Sequence, residues 1–313
     1  MKHIGFTIIA ALSLLALAVP TSSAGAQQEV PNGVAAKTGT IVVAHGASKE
    51  WNDQIRAVVS QARLDGPVEI AFLMGPEAAT TRFQDVADRL VAGGADRLVV
   101  VPMLVSSYSE HYQQIRYLAG ATDSIDVALH SHMDHGGLAP ARVNVPVIVT
   151  RALDDSPAMA RVLAERAIAL SPNPANSALF LVGHGPNSAE DYAHWMENLR
   201  PVADTVKRLT GFRDVRVDLV RDDAPPHVRA EAVRRMRELI ALQAALTGRD
   251  VVVVPVLISR GRISRETFLA DLAGLPVIYS GDPLLPHAGL ARWIEDRVRE
   301  STPATRMAVP TTR

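Results

Sequence analysis

The sequence contains no cysteine, and this absence excludes several kinds of chemistry. A chain without cysteine forms no disulfide bonds, has no thiolate nucleophile and offers no cysteine for a lipid anchor. Any metal ligands must therefore be histidines, carboxylates or backbone oxygens. The chain also lacks the Walker A, G-x-G-x-x-G, G-x-S-x-G and H-E-x-x-H motifs, so no local pattern predicts nucleotide binding, hydride transfer or serine hydrolysis.

The charge balance is close to neutral, with 32 basic and 33 acidic residues and a formal net charge of −1. No long basic run occurs, so the sequence does not predict nucleic-acid binding, which normally requires a clustered basic surface. The chain has 313 residues and is 48% apolar, which is enough to form the cores of two domains. These features indicate a globular, two-domain protein rather than a disordered chain.

Residues 1–26 have the features of a secretory signal peptide. A polar start precedes an apolar run over 6–19 and a small-residue end over 24–26. The apolar run of about 14 residues is short for a membrane span, which needs about 20. No other segment is apolar for long enough to cross a bilayer. We therefore expect a periplasmic or secreted protein that has a linker over 27–37, a flexible tail over 302–313 and no membrane span after cleavage.

Short β-branched runs alternate with helical patterns in the rest of the chain. The predicted strands cover 40–44, 68–73, 98–101 and 145–149. The predicted helices cover 49–64, 77–92 and 156–170, and a loop followed by a helix is predicted over 106–118. The alternation then restarts, with strands predicted over 178–182, 215–220, 251–254 and 276–279. This pattern predicts an α/β protein of two tandem flavodoxin-like domains, 38–172 and 173–301. Each domain is expected to have a roughly four-stranded parallel sheet with helices on both faces.

The two halves also share short sequence motifs. The segment V-A-H-G over 43–46 is answered by V-G-H-G over 182–185, and the strand with its loop over 99–106 is answered by 252–259. Two matches in the same order are better explained by a duplication than by chance.

Two histidines follow neighbouring strands of the predicted sheet. In an open parallel sheet, ligands bind beyond the carboxyl ends of the strands. His45 follows the first strand and His111 lies in the loop after the third, so we predict that they face each other across a cleft. Imidazole binds divalent transition metals and accepts protons near neutrality. The alternative is a pair of histidines that only hydrogen-bond their own loops, but His184 at the same strand end of the second half favours a functional role.

Two acids and two serines complete the candidates in the first half. Glu77 and Glu110 are candidate carboxylate partners of the metal, and the alternative for both is a solvated acid at the start of a helix. Ser106 and Ser107, in the loop before the second histidine, are candidate substrate contacts.

The second half has arginines where the first half has its second histidine. Arg260, Arg262 and Arg265 follow the strand over 251–254. Guanidinium groups are suited to binding carboxylates, so these residues are predicted to hold a polyacidic substrate. The alternative is a solvated basic loop.

A further histidine cluster lies in the long connection before the fourth strand. His130, His132 and His135 are a candidate second metal-loading site, because histidine-rich tracts bind metals. The alternative is a polar loop.

The motifs together resemble a known family. The V-A-H-G segment, the strand over 68–73, the segment G-G-A-D-R-L-V-V-V-P over 93–102 and His111 are similar, in this order, to the class II chelatases. These are the sirohydrochlorin cobalto- and ferrochelatases of the CbiX and SirB type.

The likeness covers about residues 38–120 and recurs more weakly over 176–300. It implies a chelatase-like fold and the insertion of Co(II), Fe(II) or Ni(II) into an acidic tetrapyrrole such as sirohydrochlorin, without a nucleotide. It also implies that His45 and His111 bind the incoming metal and help to remove the pyrrole protons. The family usually has a glutamate soon after the second strand, and Met74 stands there in this chain.

A second hypothesis is a periplasmic metal- or tetrapyrrole-binding protein without turnover. The export signal, the missing glutamate and the histidine cluster before the fourth strand favour it. Under either hypothesis we expect a monomer with pseudo-twofold domains, whose partners are a metal ion and a tetrapyrrole.

Overall fold

The computed structural model describes residues 37–125 and 139–302. The predicted signal peptide, nearly all of the predicted linker and all but the first residue of the predicted tail lie outside the described residues, so these three assignments stay predictions. Within the described ranges, no helix is both long enough and apolar enough to span a bilayer.

The first half of the chain forms one parallel sheet. Its strands are β1 (Thr38–Ala44), β2 (Val68–Phe72), β3 (Arg97–Met103) and β4 (Val147–Val149), in the order β2-β1-β3-β4. Its helices are α1 (Lys49–Val59), α2 (Phe83–Ala92), α3 (Glu110–Leu118) and α4 (Pro157–Leu170).

The second half forms a sheet with the same order of strands. The strands are β5 (Ala178–Gly183), β6 (Asp214–Leu219), β7 (Val251–Val256) and β8 (Val277–Tyr279), arranged β6-β5-β7-β8. The helices are α5 (Ala189–Thr210), α6 (Pro226–Thr247), α7 (Phe268–Leu272) and α8 (Ala288–Ser301). The predicted fold class, two tandem α/β domains with parallel sheets, is confirmed.

Both faces of the first sheet are covered, because successive residues of its central strands enter different cores. Val42 packs in a core with Ile55 of α1, whereas Val43 packs in a core with Val86 of α2 and Ile115 of α3. All five side chains are fully buried. Full burial explains why these strands read as continuous apolar runs rather than as alternating ones. Each such side chain contributes about 1.5–3 kcal/mol of transfer free energy.

The order of the strands places the two candidate loops side by side. β1 pairs with β3 in parallel, with Ala44 opposite Met103 at their carboxyl ends. β5 pairs with β7 in the same way, with Gly183 opposite Val256. In each half, therefore, the loop after the first strand and the loop after the third strand leave the sheet at one edge.

The last helix of each half packs against the other half. α4 packs against β7 and α5 of the second half, and α8 packs against β3 and α1 of the first half. In α8 the buried face is formed by Leu290, Trp293 and Ile294, which have helical spacing. One continuous core consequently contains residues of both sheets, including Val99 and Leu179. The halves are thereby held together by exchanged helices as well as by their loops.

Two helices are shorter than their patterns predict. The pattern over 49–64 becomes α1, which ends at Val59 because Gln61 and Ala62 bond to carbonyls three residues back, as in a tighter 3₁₀ turn. The pattern over 77–92 becomes a short 3₁₀ turn followed by α2, because the hydroxyls of Thr80 and Thr81 both donate to the carbonyl oxygen of Glu77.

Candidate functional site

His45 lies directly after β1, in a turn that requires glycine. Gly46 has a φ of +83°, and a Cβ atom there would lie 2.3 Å from the carbonyl oxygen of Met74. Nδ1 of His45 lies 2.7 Å from the carbonyl oxygen of Gly46. Because a carbonyl oxygen can only accept a hydrogen bond, Nδ1 carries the proton of the neutral ring and Nε2 carries the lone pair. The turn therefore fixes the tautomer that can bind a metal ion, or accept a proton, through Nε2.

His111 lies in the first turn of α3 and faces the first histidine. The helix begins after Ser109, whose hydroxyl oxygen accepts a hydrogen bond from the backbone N–H of Tyr112 at 3.2 Å. Nδ1 of His111 is 3.3 Å from Oε1 of the buried Gln114, which can only accept, so the neutral ring again carries its lone pair on Nε2. The ring centroids of His45 and His111 are 4.6 Å apart, with the rings edge to face. The structure thus brings together the two ligands predicted from the sequence.

The loop before α3, which positions His111, is held by a buried carboxylate. Asp154 accepts hydrogen bonds from the backbone N–H and from the hydroxyl of Ser107, both at 2.7 Å. The hydroxyl oxygen of Ser106 accepts a bond from the N–H of Tyr108 at 3.0 Å. The two serines predicted to contact substrate therefore hold the loop in shape, and Ser106 also lines the cavity next to it.

A cavity of about 480 Å³ opens above both histidines, between the two halves. Trp51 forms one side, with its ring centroid 6.1 Å from that of His45. Trp195 forms another, and its Nε1–H donates to the carbonyl oxygen of Tyr108 at 2.7 Å, which joins α5 to the His111 loop. The remaining apolar lining is aliphatic and comprises Leu104, Val105, Pro186, Val256, Leu257, Ile258 and Ile263. We call this space the histidine cavity.

His184 lines the same cavity and has a carboxylate partner. Its Nδ1 donates to the carbonyl oxygen of Gly185 at 2.8 Å, and its Nε2 lies 3.2 Å from Oδ2 of Asp223. Gly185 has a φ of +86°, so the turn has the same backbone shape as the one after β1. Because both acceptors lack a proton to donate, these two contacts stabilise the protonated form of the His184 ring.

The pKa values of the two equivalent histidines are consequently shifted in opposite directions. Burial lowers the pKa of His45, against the smaller opposing effect of its backbone hydrogen bond. Burial also lowers the pKa of His184, but the hydrogen bonds to Asp223 and Gly185, with the charges of Asp222 and Asp223, outweigh it and leave the pKa raised. The bond to His184 in turn lowers the pKa of Asp223. The uncharged form is therefore favoured in His45, and the protonated form is favoured in His184 beside Asp223.

The three arginines of the second half have different positions. Arg260 forms an ion pair with Asp282, and Arg265 forms one with Glu50 at 2.6 Å. Arg262 lines the histidine cavity, is exposed and forms no ion pair with a described residue. Of the three arginines predicted to bind substrate, Arg262 is therefore the one that lines the cavity and has no ion pair with a described residue.

The two candidate acids lie in different parts of the structure. Glu110 lines the histidine cavity, and the side chain of Asn187 donates to it at 3.4 Å. Glu77 lies in a different hollow with Arg56, to which it is ion-paired, and it accepts a hydrogen bond from Asn52 at 3.0 Å. The structure does not bring Glu77 to the histidines.

His130, His132 and His135 lie outside the described residues, so the second metal-loading site stays a prediction. Within the described part of the chain, no group of three or more histidine or acidic side chains is arranged to hold a metal ion.

The sequence reasoning missed Asp223 and both tryptophans. Asp223 lies in the loop after β6, two positions beyond Arg221, whose backbone N–H bonds to the carbonyl oxygen of His184 as that of Met74 bonds to His45. No local signal identifies Asp223, because its partner His184 lies far from it in the sequence. Trp51 and Trp195 gave no signal, because a tryptophan in an amphipathic helix is usually a core residue.

The comparisons with known proteins agree with the predicted family. Residues 39–170 match the CbiX family model. SirB from Bacillus subtilis, solved with Fe3+, has a TM-score of 0.57 and 17% identity, and the match covers 85% of this chain and 96% of that chain. SirB from Bacillus subtilis subspecies spizizenii, solved with cobalt, has a TM-score of 0.55 and 16% identity over 85% and 95% of the two chains.

A third solved structure, CbiX, is described as the terminal enzyme for the biosynthesis of siroheme in denitrifying bacteria. It has a TM-score of 0.51 and 15% identity, and the match covers 84% of this chain and 99% of that chain. At these identities the three structures show a common fold. No curated protein sequence gives a significant match. The family match covers β1 to α4, including both predicted histidine ligands. Residues 39–170 therefore match the CbiX family model, in agreement with the resemblance to the class II chelatases seen in the sequence.

Proposed function

We propose that the protein is a metal chelatase, a lyase-class enzyme that inserts divalent Co, Fe or Ni into a tetrapyrrole of the sirohydrochlorin type. One observation carries the proposal. His45 and His111 face each other at 4.6 Å between ring centroids, at the base of a cavity with two tryptophans in its lining. The match of residues 39–170 to the CbiX family model and the metals bound by the two SirB structures support it.

The reaction requires groups that both release a metal and accept protons. A divalent ion replaces two pyrrole N–H protons, so two protons leave for each metal that enters. His45 is suited to this exchange because its Nδ1–H is held by the Gly46 carbonyl and its lone pair is on Nε2. Its lowered pKa keeps the ring uncharged before the metal arrives. When the metal passes to the macrocycle, the same nitrogen is available to a proton.

The sparse ligand set fits a metal that is a substrate. Two imidazoles leave several coordination positions of a divalent ion to water or to macrocycle nitrogens, whereas storage sites use fuller sets of ligands. The described residues contain no such fuller set. Asp223 and Glu110 line the same cavity, where their carboxylate oxygens are possible further donors to a cation.

The proposal is tested by measuring Co(II) insertion into sirohydrochlorin against a blank without protein. We expect a protein-dependent rate that falls by at least about 100-fold in His45→Ala and in His111→Ala, a loss typical of removing an acid–base or ligand group. His227→Ala is the matched control, because His227 is an exposed histidine at the start of α6. No rate above the blank would contradict the proposal, as would equal rates in all three variants.

The second candidate is a metal- or tetrapyrrole-binding protein without turnover. Met74, in the place of the family's glutamate, favours it. Calorimetric titration of Co(II) separates the two, because a binding protein would retain the metal and transfer none of it to added macrocycle. Binding of Co(II) that survives both His45→Ala and His111→Ala would place the metal elsewhere, and a triple alanine variant of His130, His132 and His135 would then test that cluster.

We further propose that the mature protein is exported to the periplasm or secreted, and that it is a monomer. The composition of residues 1–26 supports the first proposal, and the two fused halves, which already share one core, support the second. N-terminal sequencing of protein from the periplasmic fraction would test cleavage near Ala26. Light scattering of the purified protein would test the monomer.

A further inference from the structure

The turn that carries His45 is held by a buried amide of α1. Asn52 is fully buried, and its Oδ1 accepts a hydrogen bond from the backbone N–H of Ala47 at 3.0 Å. Ala47 lies two residues after His45 and lines the histidine cavity. A buried amide that is paired with the backbone is a firm support, because breaking the pair leaves polar groups desolvated and unpaired. Asn52 therefore fixes the backbone directly after the first proposed ligand.

The other end of the same amide reaches Glu77. Nδ2 of Asn52 donates to Oε1 of Glu77 at 3.0 Å, and Arg56 is ion-paired with Oε2. The guanidinium of Arg56 lies over the ring of the buried Phe72, 5.6 Å from its centroid. Both carboxylate oxygens of Glu77 are thus bound by side chains of α1, in the hollow that Ala47 lines from its other side.

The backbone of Glu77 is anchored to β2. The hydroxyl of Thr81 donates to the carbonyl oxygen of Glu77 at 2.9 Å, and its oxygen accepts from the backbone N–H of Phe72 at 3.2 Å. The loops after β1 and β2 also lie in contact, since a Cβ atom at Gly75 would lie 2.8 Å from the carbonyl oxygen of Ala47. Glu77 and Asn52 thereby connect β2 to the turn that carries the histidine.

The equivalent turn of the second half cannot be held in this way. Pro186 stands two residues after His184, where the first half has Ala47, and proline has no backbone N–H to donate. Arg221 binds that turn instead, and its Nε donates to the carbonyl oxygen of Pro186 at 3.1 Å. Of the two His-Gly turns, the one that faces His111 is therefore the one with the amide contact.

We propose that Asn52 and Glu77 are positioning residues for metal binding, which hold the ring of His45 against His111 without touching the metal ion. The inference rests on the proposed function, since it concerns a ligand of the same site. It replaces the role that the sequence predicts for Glu77, a metal ligand, with support of a ligand's backbone. Removing a group that orients a metal ligand typically weakens metal binding by about 10- to 100-fold.

Titration with Co(II) tests this role in three variants. Asn52→Ala removes both hydrogen bonds of the amide, and Glu77→Ala removes its partner, so we expect each to bind Co(II) about 10- to 100-fold more weakly. Glu77→Gln keeps an oxygen that accepts from Asn52, and we expect its affinity to lie within about threefold of that of the wild type. At saturating Co(II), its visible absorption spectrum should equal that of the wild type, because the carboxylate is not a ligand.

Gln243→Ala is the matched control, because it removes another buried amide at a place outside the cavity. Gln243 donates to the carbonyl oxygen of Leu179 at 3.0 Å and to the carboxylate of Asp214 at 2.9 Å. Its removal should lower the urea midpoint, as that of Asn52 does, and leave the Co(II) affinity unchanged. This comparison separates a positioning role from a general loss of stability.

The outcomes separate the two proposals. Wild-type Co(II) affinity in Asn52→Ala, or an equal loss in Gln243→Ala, would overturn the positioning role and leave the chelatase proposal standing. An equal loss in Glu77→Gln and Glu77→Ala would also overturn it, and a changed Co(II) spectrum in Glu77→Gln would identify Glu77 as a ligand. Co(II) binding that survives both His45→Ala and His111→Ala would overturn the proposed metal site and this inference with it.

Discussion

Asp154 is the residue whose removal should most directly loosen the loop of His111 without touching the cavity. Its side chain is nearly fully buried and accepts from both the N–H and the hydroxyl of Ser107. Its φ is +45°, in the left-handed region that aspartate and asparagine tolerate better than alanine. Arg151 also donates to it at 3.0 Å, but that side chain is largely exposed.

The expected loss of stability in Asp154→Ala follows from these contacts. Two hydrogen bonds to a charged acceptor contribute about 1.5–3 kcal/mol each, so Asp154→Ala forfeits about 3–6 kcal/mol. The exposed pair with Arg151 adds about 0–1 kcal/mol. Placing alanine in the left-handed region costs about 1 kcal/mol more. Asp154→Asn keeps one acceptor and the backbone preference, so it should cost only about 1–3 kcal/mol.

Chemical denaturation with two probes measures these differences, and Co(II) titration of the folded variants measures the effect on the site. We expect the stability order wild type, Asp154→Asn, Asp154→Ala, and weaker Co(II) binding in the same order, because the loop that carries His111 loses its anchor. Asp155→Ala removes an exposed neighbouring carboxylate and is the control. A destabilisation of Asp154→Ala below about 1 kcal/mol would refute the reasoning, since typical surface substitutions fall in that range.

Three further predictions follow from single residues. Gly46→Ala should abolish Co(II) binding and lower the free energy of unfolding by well over the roughly 1–2 kcal/mol that an alanine in the left-handed region costs. Gly120→Ala is the control and should cost only that amount, because Gly120 has φ +67° and no atom within 4 Å of its Cβ position. Trp195→Phe removes the indole donor to Tyr108 and should cost about 1 kcal/mol in denaturation while weakening porphyrin binding, and an unchanged affinity would exclude the indole from the site. Burial raises the pKa of Asp214, but hydrogen bonds from Arg216 and Gln243 outweigh burial and leave the pKa lowered. Ionised Asp214 therefore stabilises the folded protein above the pKa that the group has in the unfolded chain, and this stabilisation is lost as the pH falls through its folded-state pKa. The stability difference between wild type and Asp214→Asn should accordingly shrink between about pH 5 and pH 3, and a constant difference would contradict the shift.

Much of the fold could be predicted from local sequence because the strands are fully buried. Runs such as 98–101 are apolar at every position, which identifies central parallel strands, and the flanking glycines mark their ends. The pairing of His45 with His111 followed from topology, since β1 and β3 are neighbours in a flavodoxin-like order. The family resemblance came from the same segments.

The exchange of α4 and α8 between halves could not be predicted from the sequence. Each helix shows an apolar face, but a periodic pattern tells only that a face is buried and not which sheet buries it. The partners of Arg260, Arg265 and Glu77 could not be predicted either, because an ion pair between distant segments leaves no signal in the local sequence. The arginine loop therefore looked like a substrate clasp in sequence and is a domain contact in the structure.

The two His-Gly turns show why a repeated motif does not repeat a chemical role. His45 and His184 have the same backbone shape and the same Nδ1 bond to the next carbonyl. What separates them is Asp223, which follows β6 and lies 3.2 Å from Nε2 of the second ring, whereas the first ring faces His111. A neutral imidazole can bind a metal and an imidazolium cannot, so the contact that raises the pKa of His184 disfavours it as a ligand relative to His45. The division of roles between the halves is therefore set by one carboxylate after β6 and one histidine after β3, and the turns themselves provide only the scaffold.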